Sequence, residues 1–121
     1  VTIVLADDDV DARRALSTCL RAAGHVVFEA GDGGEALALV KAHRPDLLLL
    51  DLWMPVLNGL EVVEHLRSLP EGIGLDIVVL SNQGDSDTRL EGLARGVVDF
   101  WAKDLPAAEL QSQIEKLARP E

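Results

Sequence analysis

Residues 47–50 are four consecutive leucines, and the run ends in a carboxylate, Asp51, with Trp53 and Pro55 close behind it. Successive side chains of a β-strand point to opposite faces, so a strand that is apolar at every position must be covered on both. Two other short runs have the same character, "TIVLA" at 2–6 and "DIVVLS" at 76–81. A chain with several such strands is constrained to a sheet buried between two layers.

The segments between the runs supply those layers. "DVDARRALSTCLRAAG" places Ala12, Ala15, Leu16, Cys19, Leu20 and Ala23 at helical spacing and stops at Gly24. On this spacing Cys19 lies on the apolar face, a small buried hydrophobe. A second strand, "HVVFEA" (25–30), precedes "DGGEALALVKAH", where Asp32 and Glu35 have capping-box spacing. Pro45 closes that helix, and the third strand is "DLLLLD" (46–51). After the turn "PVLNG" a third helix turns Leu60, Val63 and Leu66 inward and is ended by Pro70, Gly72 and Gly74. A fourth carries Leu90, Leu93 and Ala94 and ends near Gly96; a last one carries Leu110, Ile114, Leu117 and Ala118. The fifth strand, "VVDFWAK" (97–103), alternates as an edge strand does, with Trp101 on the opposite side to Phe100, towards the exposed face. Strand and helix thus alternate five times. That pattern predicts a parallel α/β sandwich, doubly wound, and for a strand order 2-1-3-4-5 the functional crevice lies at the carboxyl ends of the strands.

Composition excludes several alternatives. The chain has 121 residues, enough for a single domain with a core, and no apolar run approaches the ~20 residues of a membrane span. One cysteine and the lack of a charged-then-apolar leader point to a soluble, cytoplasmic protein. With 21 acids against 11 bases the net charge is −10, which argues against direct nucleic-acid binding by this segment.

The carboxyl edge of the sheet collects unusual residues. Asp7 and Asp8 follow the first strand, Asp51 ends the third, Ser81 and Asn82 end the fourth, and Lys103 ends the fifth. With strands one and three adjacent, the carboxylates stand about one strand spacing apart, ~5 Å. At an effective dielectric of 20 each close pair repels by roughly 3 kcal/mol, so raised pKa values or a cation must neutralise them. An all-oxygen set suits Mg²⁺ or Mn²⁺ rather than zinc. Lys103, two strands from Asp51, has a stem long enough to meet an anion placed there. Carboxylate, cation, ammonium and hydroxyl together form a pocket for a phosphoryl group. His25, His43 and His65 fall elsewhere, at surface or helix-end positions.

"VLADDD", "LLLLDLWMPVLNGLEVV", "IVVLSNQ" and "DFWAKD", in that order and spacing, resemble the receiver domain of two-component response regulators along the whole chain. The resemblance implies that Asp51 accepts a phosphoryl group from the phosphohistidine of a histidine kinase. It also implies that Asp8 and Asp51 hold Mg²⁺ with the main-chain carbonyl of Trp53, Asp7 acting through a water. Ser81 would donate to the phosphoryl oxygens and Lys103 pair with them. A receiver catalyses its own phosphotransfer and autodephosphorylation and is not a metabolic enzyme. On phosphorylation Ser81 and the aromatic at Phe100 would shift together, altering an output surface of fourth helix, fifth strand and fifth helix, available for a homodimer or an effector. A chain that begins at Val1 and ends "LARPE" is expected to be a receiver, residues 1–121, excised from a longer regulator with an effector beyond Glu121.

Some positions depart from the common receiver pattern. Asp104 stands where many receivers have proline after the lysine, so a trans Lys103–Asp104 peptide is expected. Trp53 and Asn82 are large for positions beside the pocket and are expected to slow hydrolysis of the acyl phosphate. Three other readings fit less of the chain. A pseudo-receiver binding module would not need the intact site, a haloacid-dehalogenase-type phosphatase would use Asp7 and leave Asp51 unexplained, and a flavin-binding domain would not put three aspartates against a phosphate.

Overall fold

The computed structural model describes residues 1–52, 54, 57–72, 74–81, 96–103 and 105–118, with the backbone alone for Glu71, Ser81, Ala107 and Ala118. Five parallel strands, β1 (Thr2–Ala6), β2 (Val26–Ala30), β3 (Leu47–Asp51), β4 (Asp76–Ser81) and β5 (Asp99–Ala102), form one sheet in the order β2-β1-β3-β4-β5. The described helices are α1 (Val10–Ala22), α2 (Gly33–His43), α3 (Gly59–Arg67) and a C-terminal helix (Ala107–Ala118). The fourth helix expected around Leu90, Leu93 and Ala94 lies outside the described residues, as do Trp53, Asn82 and Asp104.

Strand parity divides the interior into two cores. Val4, Ala6, Leu48, Leu50, Ile77, Val79 and Phe100 pack towards α2 and α3, meeting Ala36, Val40, Val62 and Leu66. Ile3, Leu5, Leu47, Leu49, Val78, Leu80 and Trp101 face α1 and the C-terminal helix, meeting Leu20, Leu110 and Ile114. The leucine run is therefore buried on both faces, as an uninterrupted apolar strand requires.

Capping fixes where the helices start, and hence where the loops before them sit. The Asp9 side chain accepts from the amides of Asp11 (3.1 Å) and Ala12 (3.2 Å) at α1, and Asp32 accepts from Glu35 N (2.8 Å) at α2. The two-way exchange of a capping box forms at α3, between Asn58 and Glu61.

The structure corrects the sequence reading at two positions. Cys19 is exposed, because α1 packs through Ser17 and Leu20, with Arg13 and Arg21 flanking them, rather than through the stripe of Ala12, Ala15 and Cys19. Trp101 is buried, not surface-facing. The C-terminal helix covers that side of β5, and the indole Nε1 donates to Asp99 Oδ2 at 3.0 Å. The strand ends also differ slightly: β2 and β3 each begin one residue later than expected, and β5 covers 99–102 rather than 97–103.

Candidate functional site

Register brings the chemistry to one edge. Ala6 pairs with Leu50, Asp51 with Leu80, and Leu80 with Trp101, so β1, β3, β4 and β5 end close to one level. Asp7, Asp51 and Lys103 share the odd parity of Leu5, Leu49 and Trp101, which face α1 and the C-terminal helix. Their side chains meet there as that parity requires. Lys103 Nζ lies 3.2 Å from Asp51 Oδ1 and 3.5 Å from Asp7 Oδ2. Lys103 stands two residues beyond Trp101, and its long stem closes the gap to β3.

Asp7, Asp8 and Asp51 converge as expected, with one oxygen from each within 4.8 Å of the others. Asp7 and Asp51 are each only 4% exposed, whereas Asp8 faces solvent. Asp7 is held by several bonds: its amide donates to Ala30 O (3.0 Å), and its Oδ1 accepts from the amide of Asp9 (2.9 Å). Asp9 does not join the cluster chemically, since its carboxylate caps α1. The D-x-D pair of a dehalogenase-type site is thus divided between a buried cluster and a helix cap.

Electrostatics bind the cluster together. Burial of the Lys103 side chain lowers its pKa, but the charges of Asp51 and Asp7 and the hydrogen bonds to them outweigh that effect, and the ammonium is held above its ordinary value. Three carboxylates and one ammonium leave two negative charges on a small area. An all-oxygen donor set, partly open through Asp8 and two charges short of neutrality, fits Mg²⁺ or Mn²⁺ and offers nothing to a thiolate-seeking ion.

The backbone around Asp51 is set by close packing. Leu52 N donates to Leu80 O at 3.2 Å and Gly59 N donates to Leu52 O at 2.8 Å, which seats the start of α3 on the end of β3. A β-carbon at Gly59 would lie 2.9 Å from Asp51 O and 3.0 Å from Leu52 Cα, so only glycine fits there.

Of the remaining expected residues, Phe100 is buried in the α2/α3-side core, and Ser81 ends β4 opposite Ala102, its side chain outside the described set. The sequence reading missed Arg13 and Glu29. Arg13 Nη1 donates to the carbonyl of Asp7 (2.8 Å) and Nε to Glu29 Oε1 (3.2 Å), beside the buried Ser17. The available signal was the spacing of Arg13, Ser17 and Arg21 at i, i+4 and i+8 opposite a lone acid in an apolar strand.

A groove between α1 and the C-terminal helix reaches this site. It is lined by Asp7 and Lys103 together with apolar residues such as Ala15, Leu16, Leu105 and Leu110.

Comparison with known proteins bears on the family and the fold. Residues 3–115 match the family described as response regulator receiver domain. The transcriptional regulatory protein PrrA of Mycobacterium tuberculosis is 38% identical over 117 residues, covering 97% of this chain and 49% of its own length. The response regulator MprA of Mycobacterium leprae is 41% identical over 117 residues, covering 97% of this chain and 50% of its own. This chain therefore spans about half the length of the curated relatives it matches. Among solved structures, a putative response regulator from Chloroflexus aurantiacus superposes with a TM-score of 0.89 at 33% identity, covering 98% of each chain. The chemotaxis response regulator CheY4 of Vibrio cholerae gives a TM-score of 0.90 at 28% identity, over 97% of this chain and 98% of that one.

Proposed function

Because the chain belongs to the response regulator receiver family, whose general function is phosphorylation on an aspartate, we propose that Asp51 is its acceptor and that Asp8 and Asp51 hold the divalent cation. The observation that carries this reading is the convergence of the Asp7, Asp8 and Asp51 carboxylates within 4.8 Å, with Lys103 Nζ 3.2 Å from Asp51. A carboxylate oxygen of Asp51 attacks the phosphorus of a phosphohistidine. The P–O bond forms as the P–N bond breaks, and the imidazole nitrogen keeps the electron pair and takes a proton from solvent. Phosphoryl transfer of this kind needs positioning and charge neutralisation more than covalent assistance. Lys103 follows the new negative charge, exchanging its contact with the carboxylate for one with a phosphoryl oxygen. Asp8 and Asp51 would hold Mg²⁺, which when bound would supply positive charge to offset the carboxylates and the incoming phosphoryl group.

The other assignments rest on the family resemblance. Asp7 acts through a water, the Trp53 carbonyl completes the metal's protein ligands, and the Ser81 hydroxyl donates to the phosphoryl oxygens. Ser81 and Phe100 carry the switch to the output surface, and Trp53 and Asn82 set how fast water removes the group. The donor is a histidine kinase or phosphotransfer protein in the cytoplasm, and the chain is one module, residues 1–121, of a longer regulator. The groove that contains both Asp7 and Lys103 is the natural approach for a helix bearing the phosphohistidine, since an apolar helix face can pack there with its imidazole directed at Asp51.

The test is a Mg²⁺ titration followed by tryptophan fluorescence, then addition of beryllofluoride, for the wild type and Asp51→Asn. Saturable Mg²⁺ binding and a Mg²⁺-dependent adduct that Asp51→Asn cannot form are expected. An adduct that survives Asp51→Asn and disappears on Asp7→Asn would favour the dehalogenase-type alternative instead.

A further inference from the structure

The β1–α1 turn carries two of the three clustered carboxylates, and a polar network on the far side of that turn has no part in the chemistry above. Arg13, in the first turn of α1, reaches back to the carbonyl of Asp7 with Nη1 (2.8 Å) and across to Glu29 of β2 with Nε (3.2 Å). Glu29 is itself fixed: its Oε2 accepts from Ser17 Oγ (3.2 Å) and from Arg21 Nη1 (3.3 Å), and Arg21 Nη2 donates to Val27 O (2.8 Å). The Arg13 side chain is 15% exposed, so this is not a solvated surface pair. Gly31 leaves room for it, since a β-carbon there would come within 3.3 Å of Arg13 Nη1.

We propose that Arg13 is a positioning residue for the acceptor site, clamping the Asp7 carbonyl to Glu29 and so fixing where the Asp7 and Asp8 carboxylates point. The inference rests on the reading of that cluster as the cation and acceptor site. On its chain side, Asp7 is bonded through its amide to Ala30 and through Oδ1 to the amide of Asp9. The Asp7 carbonyl belongs to the peptide that leads into Asp8, and the Arg13 guanidinium adds a bond to that peptide from the side of β2. A planar fork with donors in two directions can hold a carbonyl and a carboxylate at once, which a lysine ammonium on a flexible stem does poorly. Partners that orient metal-binding side chains without touching the metal commonly contribute as much as tenfold or more to its affinity.

Calorimetric titration with Mg²⁺, thermal melting and amide hydrogen exchange on Arg13→Met, Arg13→Lys, Arg21→Met and wild type test this. Arg13→Met is expected to raise the Mg²⁺ dissociation constant about tenfold and Arg13→Lys to recover only part of the loss. Arg21→Met, which also bonds Glu29 but does not reach the turn, is expected to lower the melting temperature and leave the Mg²⁺ constant unchanged. In metal-free protein the amides of Asp8 and Asp9 should exchange faster in Arg13→Met than in wild type. An unchanged Mg²⁺ constant in Arg13→Met, or an equal weakening by Arg21→Met, overturns the proposal. A wild type that binds no Mg²⁺ and forms no beryllofluoride adduct defeats the site reading instead, and the exchange rates then still decide whether the clamp exists. If Arg13→Met does not fold, Glu29→Gln, which keeps the shape of the anchor and removes its charge, should give the same changes at smaller size; no change in it overturns the clamp.

Discussion

Asp51 sits where its charge is costly and held in place: 4% exposed, at the end of a fully buried strand, beside two other carboxylates, with Lys103 against it. Removing one carboxylate that does not contact the lysine should relieve repulsion without breaking that contact. Asp8→Asn is such a change, and it is expected to raise the melting temperature of metal-free protein by a few degrees while abolishing the further rise that Mg²⁺ produces in wild type. Lys103 gives a pH signature. Its folded pKa is raised, so its stabilisation is complete below the unfolded value and is lost as pH rises through the folded one. The difference in urea midpoint between wild type and Lys103→Met, without Mg²⁺, should therefore be constant through neutral pH and shrink only in the alkaline range. The acids and the lysine were legible because each leaves an apolar strand at the same edge. Arg13, Ser17 and Glu29 were not, because a helix whose small and polar residues alternate leaves its packing face undecided. Cys19 was assigned to the wrong side of α1 for the same reason.

At the scale of elements, the seat of α3 on β3 decides how well the acceptor is presented. Gly59→Ala would force a methyl group to within 3 Å of the Asp51 carbonyl, and it is expected to cost about 1–3 kcal/mol of stability and to slow phosphorylation from a small-molecule donor. The groove between α1 and the C-terminal helix supports a separate prediction. Ala15→Trp should slow transfer from a histidine kinase while leaving loading by acetyl phosphate at the wild-type rate, because in our proposal only the protein donor packs there. The parallel sheet and its crossovers were readable from the apolar runs and the alternation, although β2, β3 and β5 are shorter than expected. The place of Trp101 was not. Alternation shows that it opposes Phe100, but only the course of the C-terminal helix shows that its side of the edge strand is covered.

For the molecule as a whole, two cores on either face of a five-stranded sheet present the Asp7, Asp8 and Asp51 cluster at one edge, with covering helices on both sides. The chain is acidic, with a net charge of −10, and among its described residues no helix is long and apolar enough to cross a membrane. Its curated relatives are about twice as long, so in our proposal this domain receives the phosphoryl group and a further module acts on the change. That division of labour depends on one bond at one residue. Incubating the protein with a phosphorylated histidine kinase and Mg²⁺, then reducing the product with borohydride and mapping the modified peptide by mass spectrometry, locates that bond directly. The account predicts a single Mg²⁺-dependent modification at Asp51, absent in Asp51→Asn and without Mg²⁺. Modification at Asp7 or Asp8, or equal modification of the Asp51→Asn protein, would contradict it.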